Sequence, residues 1–494
     1  MDHGTTPPLT NPDRLDPQRR KRHVERVLLV GLDGATYDVL VPLTQAGLMP
    51  NLAALMQSSA LVRTRSVDAP CEATAWSTLR TGCGPETHEV LDDYYLDHRR
   101  RMILPTAPRP VPCPTLVERV MTADPHGLAV SLFDARGARA VWNREPTDAA
   151  ELDQGLVRIE EDLRYAMSRV YQADASNDWR LLELRLDVLD ALQHRLGGVM
   201  GVADVADPSN AQGGCVQRAL RGLDHRLGEL MELADRRHAA VVLTSPYGFC
   251  PFREKINLFE LLRRRRLIRR AWAGRRASYQ LSRLVARGVR WLGRQLYLPP
   301  LPPRRWYPTR HLLPINWRRS QALTLHGEMS ALVYLNTQER FGTRAIRTPQ
   351  QREQALQDVL GTLAEARHPV TEEALFCEVY ATAERFPGNP VSRLWPDVIA
   401  RPMPGFHVRH QPDRRRRLVR GDRSLAGTHH DEGMLIIHSP GVVLGRAYRG
   451  KLVDVAPTIL DLLDIPSSSA MIGRVLEEIF SGSAPAALPI VNAG

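Results

Sequence analysis

Lysine is almost missing from this chain: Lys21, Lys255 and Lys451 are the only three among 66 basic residues. An arginine skew of that size reads partly as a coding bias, and it lowers the weight of any single Arg as a functional clue. Paired cysteine motifs are missing too. Cys71, Cys83, Cys113, Cys215, Cys250 and Cys377 are scattered with no CxxC among them, which argues against a zinc ribbon and a disulfide framework. They are expected as reduced thiols packed like small hydrophobes. No window approaches about 18 uninterrupted apolar residues, so no transmembrane helix is expected. Residues 1–23 lack the apolar stretch of a secretory signal and turn basic at Arg19-Arg20-Lys21-Arg22, which reads as a flexible tail on a cytoplasmic protein. Acid is absent between Arg263 and Ser320, a stretch holding 17 Arg. Against a net charge of +11, the rest of the chain therefore sums to −6 (11 − 17).

What is present is ordinary for a globular chain: 494 residues, 43% hydrophobic and 24% charged, enough for one large α/β domain with insertions. Val27-Leu28-Leu29-Val30-Gly31-Leu32-Asp33-Gly34 is an apolar run closed by an acid and a glycine, as a central parallel strand meets its C-terminal edge. The pattern predicts a helix over 50–58, one or two amphipathic helices over 148–195, and another helix over 209–235. Ala239 to Leu243, Ala331 to Leu335 and Leu435 to His438 read as strands, and Asp454 opens a helix with Pro457 tolerated in its first turn. Strands alternating with helices indicate a mostly parallel sheet covered on both faces. Within 281–296, Leu281, Leu284, Val285, Val289, Leu292 and Leu296 share one helical face, while Arg283, Arg287, Arg290 and Arg294 stripe another. Pro299-Pro300-Leu301-Pro302-Pro303 then closes that helix as a stiff linker.

The order of these pieces resembles the type I phosphodiesterase / nucleotide pyrophosphatase branch of the alkaline phosphatase superfamily. Gly31-Leu32-Asp33-Gly34-Ala35 with Met49-Pro50-Asn51-Leu52 is similar to that family's first metal-ligand strand and helix. Ala75-Trp76-Ser77-Thr78-Leu79-Arg80-Thr81-Gly82, with Pro85 and His88, resembles its nucleophile helix. Asp190 to His194 resembles an Asp-x-x-x-His ligand pair, and Gly427-Thr428-His429 with Glu432-Gly433 a distal histidine motif. Pro314 to Leu335 resembles the return to the sheet after an insertion, while Asp454 to Leu460 and Ile472 to Leu476 resemble the closing signature. The resemblance implies an α/β, alkaline-phosphatase-like three-layer sandwich over residues 24–480. It carries an Arg-rich helical cap at 259–313 and a C-terminal tail at 481–494. It also implies two metal ions at the C-terminal sheet edge, clamping a phosphoryl group beside a Thr or Ser nucleophile.

This sequence departs from that pattern on one side. Pro246 and Tyr247 follow the Ala239–Ser245 run where the family places an Asp and a His; proline ligates nothing and tyrosine is an uncommon zinc ligand. Glu72 stands at the nucleophile position, and a glutamate gives no alkoxide-derived phosphoenzyme. Thr74 and Cys71 are the displaced alternatives, both disfavoured by geometry or by the lack of a basic neighbour.

The other side is intact: Asp190 and His194 share a helix face, and His429, rather than the adjacent His430, would be the third ligand. Two readings stay open. In one, Asp33, Glu72, Asp190, His194 and His429 hold one Zn, Mn or Fe ion, and Glu72 serves as base in hydrolysing a phosphate ester or anhydride. In the other, the chain is a non-catalytic pseudoenzyme that binds a phosphorylated small molecule or acts as a scaffold. For the Arg-rich stretch the alternatives are a solvated cap, an anionic membrane surface or lipid-like substrate met through 263–310, and, least favoured, nucleic acid.

Overall fold

Seven strands form the central sheet: β1 (Arg26–Leu32), β2 (Ala60–Arg65), β3 (Leu128–Leu132), β4 (Trp179–Leu186), β5 (Ala239–Ser245), β8 (Glu432–His438) and β9 (Ala447–Lys451); the apolar runs of β1, β5 and β8 are those expected from the sequence. Between β5 and β8 a small hairpin-like pair, β6 (Gly248–Pro251) and β7 (Gly427–His430), lies against the sheet edge. In this computed structural model the described residues are 22–481, apart from 68–70, 93, 98–101, 107–110, 126, 134–145, 147, 176–178, 208, 272–314, 328, 387–394, 411, 414, 423 and 445. The sheet order is β9-β2-β8-β5-β1-β4-β3, and β8 alone runs antiparallel to its neighbours. The expected mostly parallel α/β sandwich is therefore observed.

Alternation along β1 shows how the layers are made. Leu28, Val30 and Leu32 face one core, and Val27 and Leu29 the other. The first face is covered by two long helices, α2 (Ala149–Asp174) and α4 (Ala211–Arg237), and by the shorter α3 (Val188–Leu196). The opposite face packs α1 (Glu72–Thr81) and the helix Val455–Leu462. Asp224 of α4 braces the turn read from Met49-Pro50-Asn51-Leu52: its carboxylate accepts from Asn51 N at 3.1 Å, Asn51 Nδ2 at 3.0 Å and Leu52 N at 2.9 Å. It caps the N-terminus of the Pro50–Gln57 helix from outside that helix. Asp224→Ala is expected to cost about 2–4 kcal/mol in urea unfolding, since it leaves buried donors unpaired.

The sequence reading of 148–195 needs correction: it holds a helix, a central strand and a second helix. Charges inside β4 disguised it. Glu183 is fully buried against Arg80, and Arg185 is nearly buried at the strand's end. Ser330–Leu335 is also a strand, but of another sheet, antiparallel in the order Ala322–Gly327, Ser330–Leu335, Val398–Pro402, Phe376–Ala381. All six of its residues are buried, which gives the same apolar signature as a central strand. That sheet has its own core, in which Leu258, Phe259, Leu262, Leu267 and Ile268 from the start of the Arg-rich stretch pack with Tyr334 and Val359.

Several early arginines of the stretch are ion-paired: Arg263 and Arg270 with the buried Glu260, and Arg265 with Glu365. The striped helix and the proline linker lie outside the described residues. At the other end of the chain, Arg22 is buried on Asp461 and Glu477, so the packed structure reaches back into the expected tail. Among the described residues no single helix is long and apolar enough to cross a membrane.

Candidate metal centre

Parallel strands deliver the residues that follow them to one edge, and here β1, β4 and β5 bring Asp33, Asp187 and Pro246-Tyr247 together. Two clusters form there.

The first contains Asp190, His194 and His429, whose ligand atoms all lie within 4.8 Å of one another. Asp190 and His194 are four apart on α3, so both project from one face. His429 comes from β7, paired in register with Phe249 of β6. Its Nε2 lies 2.8 Å from Asp190 Oδ1, and His194 Nε2 lies 3.4 Å from the same oxygen. His194 Nδ1 sits 3.1 Å from Gly427 O, an acceptor only, so Nδ1 carries the proton and Nε2 is left to face the cluster. Phe249 meets both imidazoles edge-on, with ring centroids at 4.7 and 4.5 Å, and Tyr247 lies on His429 at 4.4 Å. Gly34 is required where it is: its φ is +76° and a Cβ would come 2.8 Å from Phe249 Cε2. His430 has a different task, its Nδ1 accepting from Glu432 N at 3.0 Å. Two imidazoles and a carboxylate with converging donors fit one divalent transition ion.

The second cluster is organised by a residue that the sequence reading missed. Arg185, the penultimate residue of β4, is ion-paired to Asp33 and to Glu72 (2.5 Å) through Nη2, and to Asp187 (2.5 Å) through Nε. Its guanidinium lies 4.9 Å from the Trp76 ring centroid. Burial alone would lower the Arg185 pKa, but the Asp33 and Asp187 charges outweigh it and the net direction is up.

Asp33 and Glu72, grouped with the metal ligands in the sequence reading, are thus placed on a guanidinium instead. Tyr247 is fully buried, and burial first, then the Asp33 charge, push its phenol well above the ordinary range. Its hydroxyl and Asp33 Oδ1 both lack a hydrogen-bond partner of good geometry. Pro246 has no ligand atom and the Tyr247 phenol is buried at the two positions where the family resemblance implies an Asp and a His. Glu72 is the first residue of α1; Cys71 caps that helix, its sulfur accepting from Thr74 N and lying 2.9 Å from the Thr74 hydroxyl. Both displaced-nucleophile candidates are therefore turned into the helix start. The signal for Arg185 becomes legible only once β4 is known as a strand: an arginine flanked by Leu184 and Leu186 in a buried strand must have acids around it.

A cavity of about 190 Å³ opens beside His429, lined by Arg401, Met403 and Phe406 from the second sheet's side and by His430 and Asp431. The architecture and the Asp/His cluster at its sheet edge define a phosphoesterase-like α/β protein. The sequence profile of the type I phosphodiesterase / nucleotide pyrophosphatase family matches residues 27–430, and the chain belongs to that family. In fold it is similar to human ectonucleotide pyrophosphatase/phosphodiesterase 5, with 15% identity, a TM-score of 0.50, and coverage of 90% of this chain and 96% of that one. It is also similar to phosphonoacetate hydrolase from Sinorhizobium meliloti 1021, with 13% identity, a TM-score of 0.54, and coverage of 88% and 95%. A further similar structure is an inactive threonine-to-alanine variant of the murine phosphodiesterase 5 protein in complex with AMP, with 14% identity, a TM-score of 0.50, and coverage of 90% and 96%. No curated protein sequence matches the chain.

Proposed function

We propose that this chain is a one-metal member of its family that binds a phosphodiester or phosphoanhydride and hydrolyses it directly with water. The observation that carries the reading is the split centre: Asp190, His194 and His429 converge, while Asp33 and Glu72 are held by Arg185. A divalent ion on the three ligands supplies Lewis-acid activation of a phosphoryl oxygen or of water. His194 is held for that task by Gly427 O, and Phe249 and Tyr247 fix the plane of His429. Glu72 accepts the proton of the attacking water; were it phosphorylated instead, the product would be an acyl phosphate and the route two-step.

Charge narrows the substrate. Asp33, Glu72 and Asp187 surround one guanidinium and Asp190 lies with the two histidines, so with one divalent ion the four acids leave the centre formally −1. A monoester dianion is repelled more strongly than a diester monoanion, so diesters are favoured. The murine relative's complex with AMP makes nucleotide diesters the first class to try.

The test is hydrolysis of an aryl phosphodiester made chiral by sulfur, in protein of measured metal content. Net inversion at phosphorus is expected, with little turnover of the matching monoester; retention would mean a covalent intermediate and overturn the reading. Glu72→Gln is expected to slow the reaction about 100-fold or more with metal content unchanged.

A second reading is favoured by the Glu72–Arg185 pairing, which occupies the candidate base. It is a non-catalytic protein that binds the same ligands, and metal-dependent ligand binding without turnover would select it. Docking on an anionic membrane through 263–310 rests on the sequence alone.

A further inference from the structure

We infer that Arg185 is a built-in replacement for the second metal ion: a cation supplied by the chain itself, seated among the carboxylates left when the neighbouring ligands became Pro246 and Tyr247. The inference rests on the family assignment and not on turnover.

Three features make the seat. Asp33 and Glu72 share one guanidinium nitrogen, Nη2, so two acids from different elements converge on a single positive atom as they would on an ion. Asp187 takes Nε at 2.5 Å, which fixes the plane of the fork. Trp76, one turn along α1 from Glu72, lies over the guanidinium, and it fits only because position 31 is glycine: a Cβ there would be 2.7 Å from Trp76 Cη2. Tyr247 then fills the remaining side with a buried ring whose hydroxyl approaches Asp33 without ligating anything. Around a side chain only 12% exposed, this leaves no room for an ion to share Asp33. The acids are not surplus: removing their cation would strand buried charge, which is strongly destabilising.

The metal count reads this directly. Wild-type protein titrated with Mn²⁺, with free ion followed by its electron paramagnetic resonance signal, should bind one ion per chain. Arg185→Met keeps the bulk but removes the charge, leaving Asp33 and Glu72 to bind a second, weaker Mn²⁺ with water filling its remaining positions. Its urea midpoint should fall without Mn²⁺ and recover when Mn²⁺ is added by more than the wild type's own Mn²⁺ shift, an excess absent in Arg185→Met/Asp33→Asn. Asp33→Asn alone should leave the wild-type count at one.

Two ions in the wild type, or a count that drops in Asp33→Asn, would overturn the inference. So would an Arg185→Met protein that gains no second ion and shows no Mn²⁺ stabilisation beyond the wild type's. If Arg185→Met does not fold at any Mn²⁺ concentration, Arg185→Lys decides: it should fold, bind one ion and show no Mn²⁺ stabilisation beyond the wild type's, and a second ion there counts against the claim. A wild type binding no metal would sink the one-metal function while leaving the Arg185 comparison intact.

Discussion

His429→Ala is expected to lose its metal on desalting and to reduce phosphodiester hydrolysis to background, a fall of more than about 100-fold in metal affinity. The size follows from its position. His429 is the ligand contributed by the distant strand β7, so without it the ion keeps only Asp190 and His194 from one helix face. Its side chain is 2% exposed between Tyr247 and Phe249, so water entering in its place meets two aromatic rings. His430→Ala is the control. It removes a contact to the Glu432 backbone, not a donor of the cluster, and should keep its metal. Metal content after gel filtration, together with circular dichroism to verify folding, checks both variants; a His429→Ala protein with the wild-type metal content would remove the basis of the proposed site.

Gly433→Ala is expected to be the most damaging single-methyl change near the centre, costing about 3 kcal/mol. Gly433 sits in β8 between β2 and β5. A Cβ there would run into the Ser245 carbonyl and come 2.9 Å from both the Pro246 carbonyl carbon and Thr64 Oγ1. Two of these neighbours are backbone of central strands or their ends, so relief requires the strands to part. The Pro246-Tyr247 turn would move with them and disturb the Tyr247–His429 contact, so metal affinity should fall along with stability. Gly361→Ala should change stability in the opposite direction, by roughly +0.5–1 kcal/mol, because it lies inside the Pro349–Ala364 helix with open space around its Cα. Urea midpoints of the two variants, measured side by side, separate the steric cost from the generic gain.

The legibility of this chain depended on how its charges were buried. β1 and β5 were readable because their interiors are wholly apolar and end in a turn. Asp190, His194 and His429 were readable as a set because helical spacing and a Gly-Thr-His turn carry their own geometry. β4 was not readable, because Glu183 and Arg185 break its apolar run and, Asp187 apart, their partners Arg80, Asp33 and Glu72 lie more than 100 residues away. For the same reason the pairing of Asp33 and Glu72 with Arg185 could not be read from sequence: which acid meets which cation is decided by strand order. The second sheet was hidden in a different way, since Ser330–Leu335 carries the apolar pattern of a central strand and nothing local states which sheet it joins.

The Trp76–Arg185 stack has one more consequence. A chelator strips a two-ion phosphoesterase of both its positive centres at once, whereas this protein would keep one of them in EDTA. Its apo form stays part-charged and part-assembled, and the indole beside that retained charge is a native fluorophore. Tryptophan emission should therefore change little on chelation, so the edge of the sheet is set before any ion arrives.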